Sequence, residues 1–255
     1  MKLRVLGCGT STGVPKIGND WGRCDPNEPR NRRLRSSIIV ESAGERVLVD
    51  CGPDLREQLL AAHVSALDAV IVTHAHGDHV HGIDELRPVS AAIGQPVPIY
   101  ARPDVLGELK ARFAYAFHRS DFYRPIVEGR EVAAEWHFGN ARVRLVDQPH
   151  GSTVSLGLRF VEGNKSIVYA IDFNNLTDDM AATYQGADVW IVDCLTRSPH
   201  PTHMHLDAVL SMARELCVGQ VYLTHMGNGL DYQTLVTELP DWAAPAFDGL
   251  EITLA

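Results

Sequence analysis

An apolar run, Ala69-Val70-Ile71-Val72, passes through Thr73 straight into His74-Ala75-His76-Gly77-Asp78-His79, and no other feature constrains the fold as tightly. The run has the β-branched composition and the length of a buried strand. Four potential metal ligands then follow within six residues. Side chains crowded in this way on a core-anchored loop can surround ions if the backbone turns sharply, and Gly77 supplies the freedom for that turn. Imidazole nitrogen and carboxylate oxygen suit Zn²⁺, Mn²⁺ or Fe²⁺. The chain therefore needs a sheet edge from which further ligands can reach the same point.

Three later positions have the same form. His150 follows the apolar residues 143–146 and Gln148-Pro149, Asp172 follows residues 167–171, and His225 follows residues 221–224. Each alone is compatible with a hydrogen-bonded strand end, but four strand ends that deliver ligands point to one edge of a core. Further strand-like runs occupy residues 3–6, 37–40, 47–49 and 189–192, and segments 54–63, 104–117, 206–217 and 232–239 carry apolar residues at helical spacing. Ser42-Ala43-Gly44-Glu45 and Glu162-Gly163-Asn164-Lys165 read as hairpin connections, so some neighbouring strands are antiparallel. An α+β arrangement of sheets covered by helices follows. With no repeat, low-complexity tract or linker, the expectation is one domain over residues 1–255.

The 255 residues include 23 Lys plus Arg against 32 Asp plus Glu, a formal charge of −9. That balance opposes adherence to polyanions, so neither a nucleic-acid nor a membrane partner is expected. Residues 1–6 lead into Gly7-Cys8-Gly9-Thr10 without the apolar stretch of a signal peptide. No segment reaches the ~18 apolar residues of a membrane span. The five cysteines are odd in number and dispersed, with no C-x-x-C pair, which fits buried thiols in a reducing cytoplasm. A homodimer is left open.

His74-Ala75-His76-Gly77-Asp78-His79 after an apolar strand resembles the H-x-H-x-D-H motif of the metallo-β-lactamase superfamily. The resemblance extends over essentially the whole chain. It implies a four-layer αββα sandwich with mixed sheets and two divalent ions, Zn or Mn with Fe as a further option, at one sheet edge. On the same ground His74, His76 and His150 go to one ion, Asp78, His79 and His225 to the other, and Asp172 bridges both. Within the superfamily, Leu6-Gly7-Cys8-Gly9-Thr10-Ser11-Thr12-Gly13-Val14-Pro15, Val49-Asp50-Cys51-Gly52-Pro53-Asp54 and His200-Pro201-Thr202-His203 resemble the phosphoribosyl cyclic phosphate phosphodiesterase branch. Ribonuclease Z is a more distant resemblance. That branch often carries a cysteine cluster for a structural zinc after the Gly-Val-Pro segment. Residues 18–26 offer only Cys24, so other contacts must hold the loop of residues 16–35.

The implied reaction is hydrolysis of a small, cyclic sugar or nucleotide phosphodiester by hydroxide generated at the metals. The resemblance makes His203 the general acid, and Asp78 is taken as the second catalytic residue. Arg23, Arg30, Arg32, Arg33 and Arg35 form either a phosphate clamp or a solvated basic loop. Asp50 either orients a metal-binding His or caps the helix that starts near Asp54. Asp193 is a candidate supporting residue. His205 is expected at a helix start, His200 is a weaker candidate than His203, and His63, His81, His118 and His137 are expected to have no role. Two alternatives keep the same metals. One is a ribonuclease Z-like endonuclease, against which the charge counts. The other is a lactone or thioester hydrolase, which the ligand set permits. A closed structural site is disfavoured, because seven ligands shared by two ions leave positions open for water and substrate.

Overall fold

The computed structural model describes residues 1–119 and 121–254. Strands β1 (Lys2–Gly7), β2 (Ser37–Ser42), β3 (Glu45–Val49), β4 (Ala69–Ile71), β5 (Val97–Ala101) and β6 (Val127–Glu131) lie side by side in chain order. A second sheet repeats the scheme with β7 (Glu135–Phe138), β8 (Ala141–His150), β9 (Thr153–Glu162), β10 (Lys165–Ala170), β11 (Val189–Asp193), β12 (Gln220–Thr224) and β13 (Ala243–Pro245). The C-terminal β14 (Glu251–Thr253) returns to pair with β1. In each sheet the early strands are antiparallel and the later ones parallel, with the change at β3–β4 and at β10–β11. The two expected hairpins join β2 to β3 and β9 to β10.

Period-two alternation assigns the layers. Ile38, Val40, Val47, Val49 and Ile71 share a core with Val143, Leu158 and Ile167 of the second sheet. Their neighbours Ile39, Leu48, Val70 and Val72 point the other way, into a separate core with the helices of that side. These are α1 (Leu55–Ala61), α2 (Gly77–Val80), α3 (Leu86–Ile93), α4 (Pro103–Arg112) and α5 (Ala114–Phe117). Helices α6 (Asp178–Tyr184), α7 (Leu206–Glu215) and α8 (Tyr232–Glu238) follow, and Met180, Tyr184, Val209 and Leu235 bring them onto the second sheet. The result is the expected sandwich of two mixed sheets between helices. The segment 104–117, expected as one helix, is two, broken at Phe113 where the backbone leaves helical values (φ −120°, ψ 36°).

The long connection from β1 to β2 crosses to the end of the second sheet, where buried polar contacts anchor it. Arg33 is buried and donates to the carbonyls of Gly227 (3.2 Å) and Leu230 (2.6 Å). Asn31 donates from Nδ2 to Asp231 (2.7 Å) and accepts from the Tyr232 N–H (2.8 Å). The Cys24 thiol lies 3.5 Å from the carbonyls of both Asn228 and Leu230. Asp248 accepts from the N–H groups of Cys8 (3.0 Å) and Leu34 (2.7 Å), fastening both ends of the connection.

Burial pushes the Asp248 carboxyl up to about 7, against the opposing pull of those N–H groups. A carboxyl raised above its unfolded value keeps its proton longer in the native state. Its stabilising share is therefore complete below about pH 4 and drains away as pH rises to about 7. Relative to Asp248→Asn, the wild-type chain should lose on the order of 1–3 kcal/mol between about pH 5 and pH 8, read from urea unfolding of both proteins. A stability difference that stays constant with pH would show that the carboxyl is ionised throughout.

Candidate metal centre

Parallel register brings the carboxyl ends of several strands to one edge: Val49 pairs with Ile71, Ala170 with Val192, and Asp193 with Thr224. Beyond β4 the chain carries His74 and His76, and α2 carries Asp78 and His79. His150 closes β8, Asp193 closes β11, and Asp172 and His225 lie just past β10 and β12. Asp50, Asp172 and His225 all adopt left-handed backbone, with φ of 62°, 56° and 55°. Such conformations cost an L-residue about 1–3 kcal/mol and cluster where a site over-determines the chain. Gly52 lets the segment after β3 touch α2, because a Cβ there would meet the Asp78 carbonyl at 2.0 Å.

The side chains converge in four triplets whose ligand atoms lie within 4.8 Å of one another: His74, His76 and His150; His74, His79 and Asp172; Asp78, His79 and His225; and His150, Asp172 and His203. Asp172 is common to two of them. One of its oxygens is 3.6 Å from Nε2 of both His150 and His225, and the other is 3.1 Å from His79 Nε2. All seven residues expected as ligands are thus brought together.

A surrounding set of partners occupies the other ring nitrogen. Nδ1 of His74 lies 3.0 Å from the Thr73 hydroxyl, His79 Nδ1 is 2.8 Å from Asp50, His150 Nδ1 is 2.8 Å from the Thr202 carbonyl, and His225 Nδ1 is 3.1 Å from the Ser36 hydroxyl. These bonds fix the rings and leave Nε2 as the coordinating atom. Nε2 of His74 is buried without a hydrogen-bond partner, and Nε2 of His79 has beside it only the carboxylate oxygens of Asp172 (3.1 Å) and Asp78 (3.2 Å). Orphaned buried polar atoms are costly. Nitrogen and oxygen donors left open in this way fit a divalent metal. Sequence reasoning missed Thr73, Ser36 and Thr202, since one hydroxyl or carbonyl leaves no pattern in a chain read alone.

Burial drives the His74 and His150 imidazoles below their usual pKa, and the charge of His79 adds to the effect on His74. At His79 burial pushes the same way but is outweighed by Asp172, Asp50 and Asp78, which hold its pKa well above normal. Burial would raise Asp172, yet His225 and His79 keep it well below the carboxylate range, and His79 does the same for Asp78. Burial raises Asp50, which accepts from His79 Nδ1 and from the N–H and hydroxyl of Thr73. Asp50 therefore orients the site, and it does not cap α1, whose N-cap is Asp54.

His203 faces the same cleft, which holds about 230 Å³ and is lined also by Ser11, Ser152, Thr153 and Thr202. Its Nδ1 is 2.9 Å from Asp193 and 3.5 Å from Asp172. Burial lowers the His203 pKa, but the hydrogen bond and charge of Asp193 outweigh it and leave the group raised. His200 is exposed, its ring 5.3 Å from that of His203, and His205 is the N-cap of α7. None of the five arginines of residues 23–35 lines the cleft. Arg33 is a buried anchor, Arg35 pairs with Asp54 at 2.9 Å, and Arg30 and Arg32 lie over aromatic rings elsewhere. The phosphate clamp is thus not built at this centre, and a solvated loop describes Arg33 no better.

The pattern of the Beta-lactamase superfamily domain matches residues 45–226. The chain belongs to the beta-lactamase superfamily. Among solved structures, that of a new diphosphatase from the PhnP family is similar with a TM-score of 0.90 and 37% identity, over 98% of this chain and 96% of the other. An octanoyltransferase of Porphyromonas gingivalis is 29% identical over 98% of this chain but 51% of its own length. A ribonuclease Z of Crocosphaera subtropica is 34% identical over 45% of this chain and 34% of its own. The chain thus spans about a third to a half of these two relatives. No helix among the described residues is long and apolar enough to cross a membrane.

Asp50→Asn should keep the fold and the ligand set but lose the charge that orients His79. The expected outcome is metal affinity weakened about 10- to 100-fold. Competition with a chromophoric chelator measures it, and unchanged affinity would remove Asp50 from this role.

Proposed function

We propose that residues 1–255 form one phosphodiesterase domain acting on a small, cyclic sugar or nucleotide phosphodiester. His74, His76 and His150 would hold one divalent ion, Asp78, His79 and His225 a second, and Asp172 would be shared. The observation that supports this reading best is the set of rings fixed through Nδ1 with Nε2 turned toward the Asp172 carboxylate. Divalent ions bound there would neutralise phosphate oxygens and acidify water. Asp78, on the cleft wall, would take the proton of the attacking water. With Nδ1 bonded to Asp193, the proton that His203 can give to the departing alkoxide sits on Nε2. The cleft carries hydroxyls but no Lys or Arg, which suits a singly charged diester with a polar sugar. The name of the PhnP-family relative favours cleavage at phosphorus. Five unpaired thiols favour action in the cytoplasm.

Asp172→Ala should lose metal and activity together. His203→Ala should retain metal and slow turnover about 10²- to 10⁴-fold. Metal analysis beside initial rates separates the two, and loss of metal from His203→Ala would place that residue among the ligands. Because the His203 pKa is raised, wild-type activity should persist above pH 6.5 and fall on the alkaline side, and that limb should vanish in His203→Ala. Protein loaded with Mn²⁺ or Zn²⁺ should turn over a 2′,3′-cyclic nucleotide and bis(p-nitrophenyl) phosphate in preference to a dinucleoside diphosphate, a lactone or precursor tRNA. Exclusive cleavage of any of the last three would replace the substrate class and leave the metal assignment standing.

A further inference from the structure

A second cavity, of about 460 Å³, opens between β1, α1, residues 29–34 and the turn at residues 247–249, and it shares no lining residue with the metal cleft. Its rim gathers the guanidinium groups of Arg4, Arg30 and Arg32 on a chain whose formal charge is −9. Arg4 is partly engaged, donating to the Ala61 carbonyl (3.1 Å) and lying 3.6 Å from Glu251. Arg30 is poised 5.0 Å from the ring centres of Tyr232 and Phe247, and Arg32 lies 5.2 Å from that of Trp21. Neither forms an ion pair among the described residues. Aromatic stacking holds a guanidinium in place while leaving its N–H fork available to an anion.

The cavity wall adds an independent feature. Gln58 is 2% exposed, and its Nε2 donates to the Arg35 carbonyl at 2.8 Å. Its Oε1 is buried and has no hydrogen-bond partner. Phe247 contributes an aromatic surface to the same space. The volume falls within the range of small-molecule sites and far exceeds what inorganic phosphate needs.

We infer that this cavity binds a nucleoside monophosphate, with its phosphate on Arg30, Arg32 and Arg4 and its base against Phe247. Guanidinium forks match phosphate oxygens bidentately, and the base supplies the stacking face. The net negative charge of the chain argues against a longer polynucleotide in the same place.

Isothermal titration of the metal-loaded protein with AMP tests this. Saturable binding is expected, with adenosine and inorganic phosphate each at least ~10-fold weaker, since each carries only part of the recognition. The Arg30→Ala/Arg32→Ala double variant should weaken AMP binding by at least ~10-fold. Glu57→Gln, which removes an exposed acidic group from the rim, should tighten it. Asp172→Ala should leave it unchanged. Neither cavity variant should alter hydrolysis of bis(p-nitrophenyl) phosphate in the absence of nucleotide. No saturable binding of AMP, GMP, CMP or UMP would overturn the inference. So would binding as tight by phosphate alone, or binding that survives the double arginine variant but is lost in Asp172→Ala, which would place the phosphate at the metal centre instead.

Discussion

The Asp50 carboxylate, fully buried at the end of β3, is the interaction on which the centre depends. One oxygen accepts from the Thr73 N–H at 2.8 Å, and the other from the Thr73 hydroxyl at 2.9 Å and lies 2.8 Å from His79 Nδ1. A charge in that position is tolerated only because donors surround it. Through Thr73 it fixes the point where β4 gives way to the ligand loop, and Thr73 in turn meets His74 Nδ1. Through His79 it reaches α2. One side chain on β3 thereby sets the orientation of rings on two separate pieces of backbone, which rigid metal geometry requires.

The electrostatics around this anchor balance only when taken as a whole. Asp50, Asp78 and Asp172 crowd His79, and their charges hold its pKa well above the usual imidazole range against the opposing effect of burial. His74 and His150 are driven toward the neutral form, the state in which imidazole coordinates a metal. Cations bound there would add positive charge among the same three carboxylates. The left-handed backbone at Asp50, Asp172 and His225 belongs to the same account, since the conformational cost is carried by strands anchored in the two cores.

Those strands explain how much was legible in the sequence. Residues 69–79 declare both a buried strand and its ligands, because β4 is covered on both faces and every side chain in it is apolar. The ends of β8, β10 and β12 could be read for the same reason. The edge strands β6, Val-Glu-Gly-Arg-Glu, and β7, Glu-Trp-His-Phe, carry charges toward solvent and show no apolar run, so they were invisible. The ring partners divided along similar lines. Asp50 and Asp193 stood out as acids closing strands, whereas Ser36 and Thr73 each act through a single hydroxyl, that of Ser36 only where the β1–β2 connection meets the end of β12 and that of Thr73 only where β4 meets the Asp50 carboxylate.

The arginine-rich segment shows why composition alone misleads. Read as a charge cluster, residues 23–35 suggest one surface with one purpose. Folding disperses them: Arg33 turns inward against backbone carbonyls, Arg35 pairs with Asp54, and Arg30 and Arg32 settle on aromatic rings. Arg33 turns inward because the carbonyls of Gly227 and Leu230 need a donor with reach and fixed geometry, which a guanidinium supplies and a lysine ammonium matches poorly. The same loop then presents Ser11 to the metal cleft on one side and Arg30 and Arg32 to a separate cavity on the other. Its anchoring by hydrogen bonds keeps the two surfaces in register.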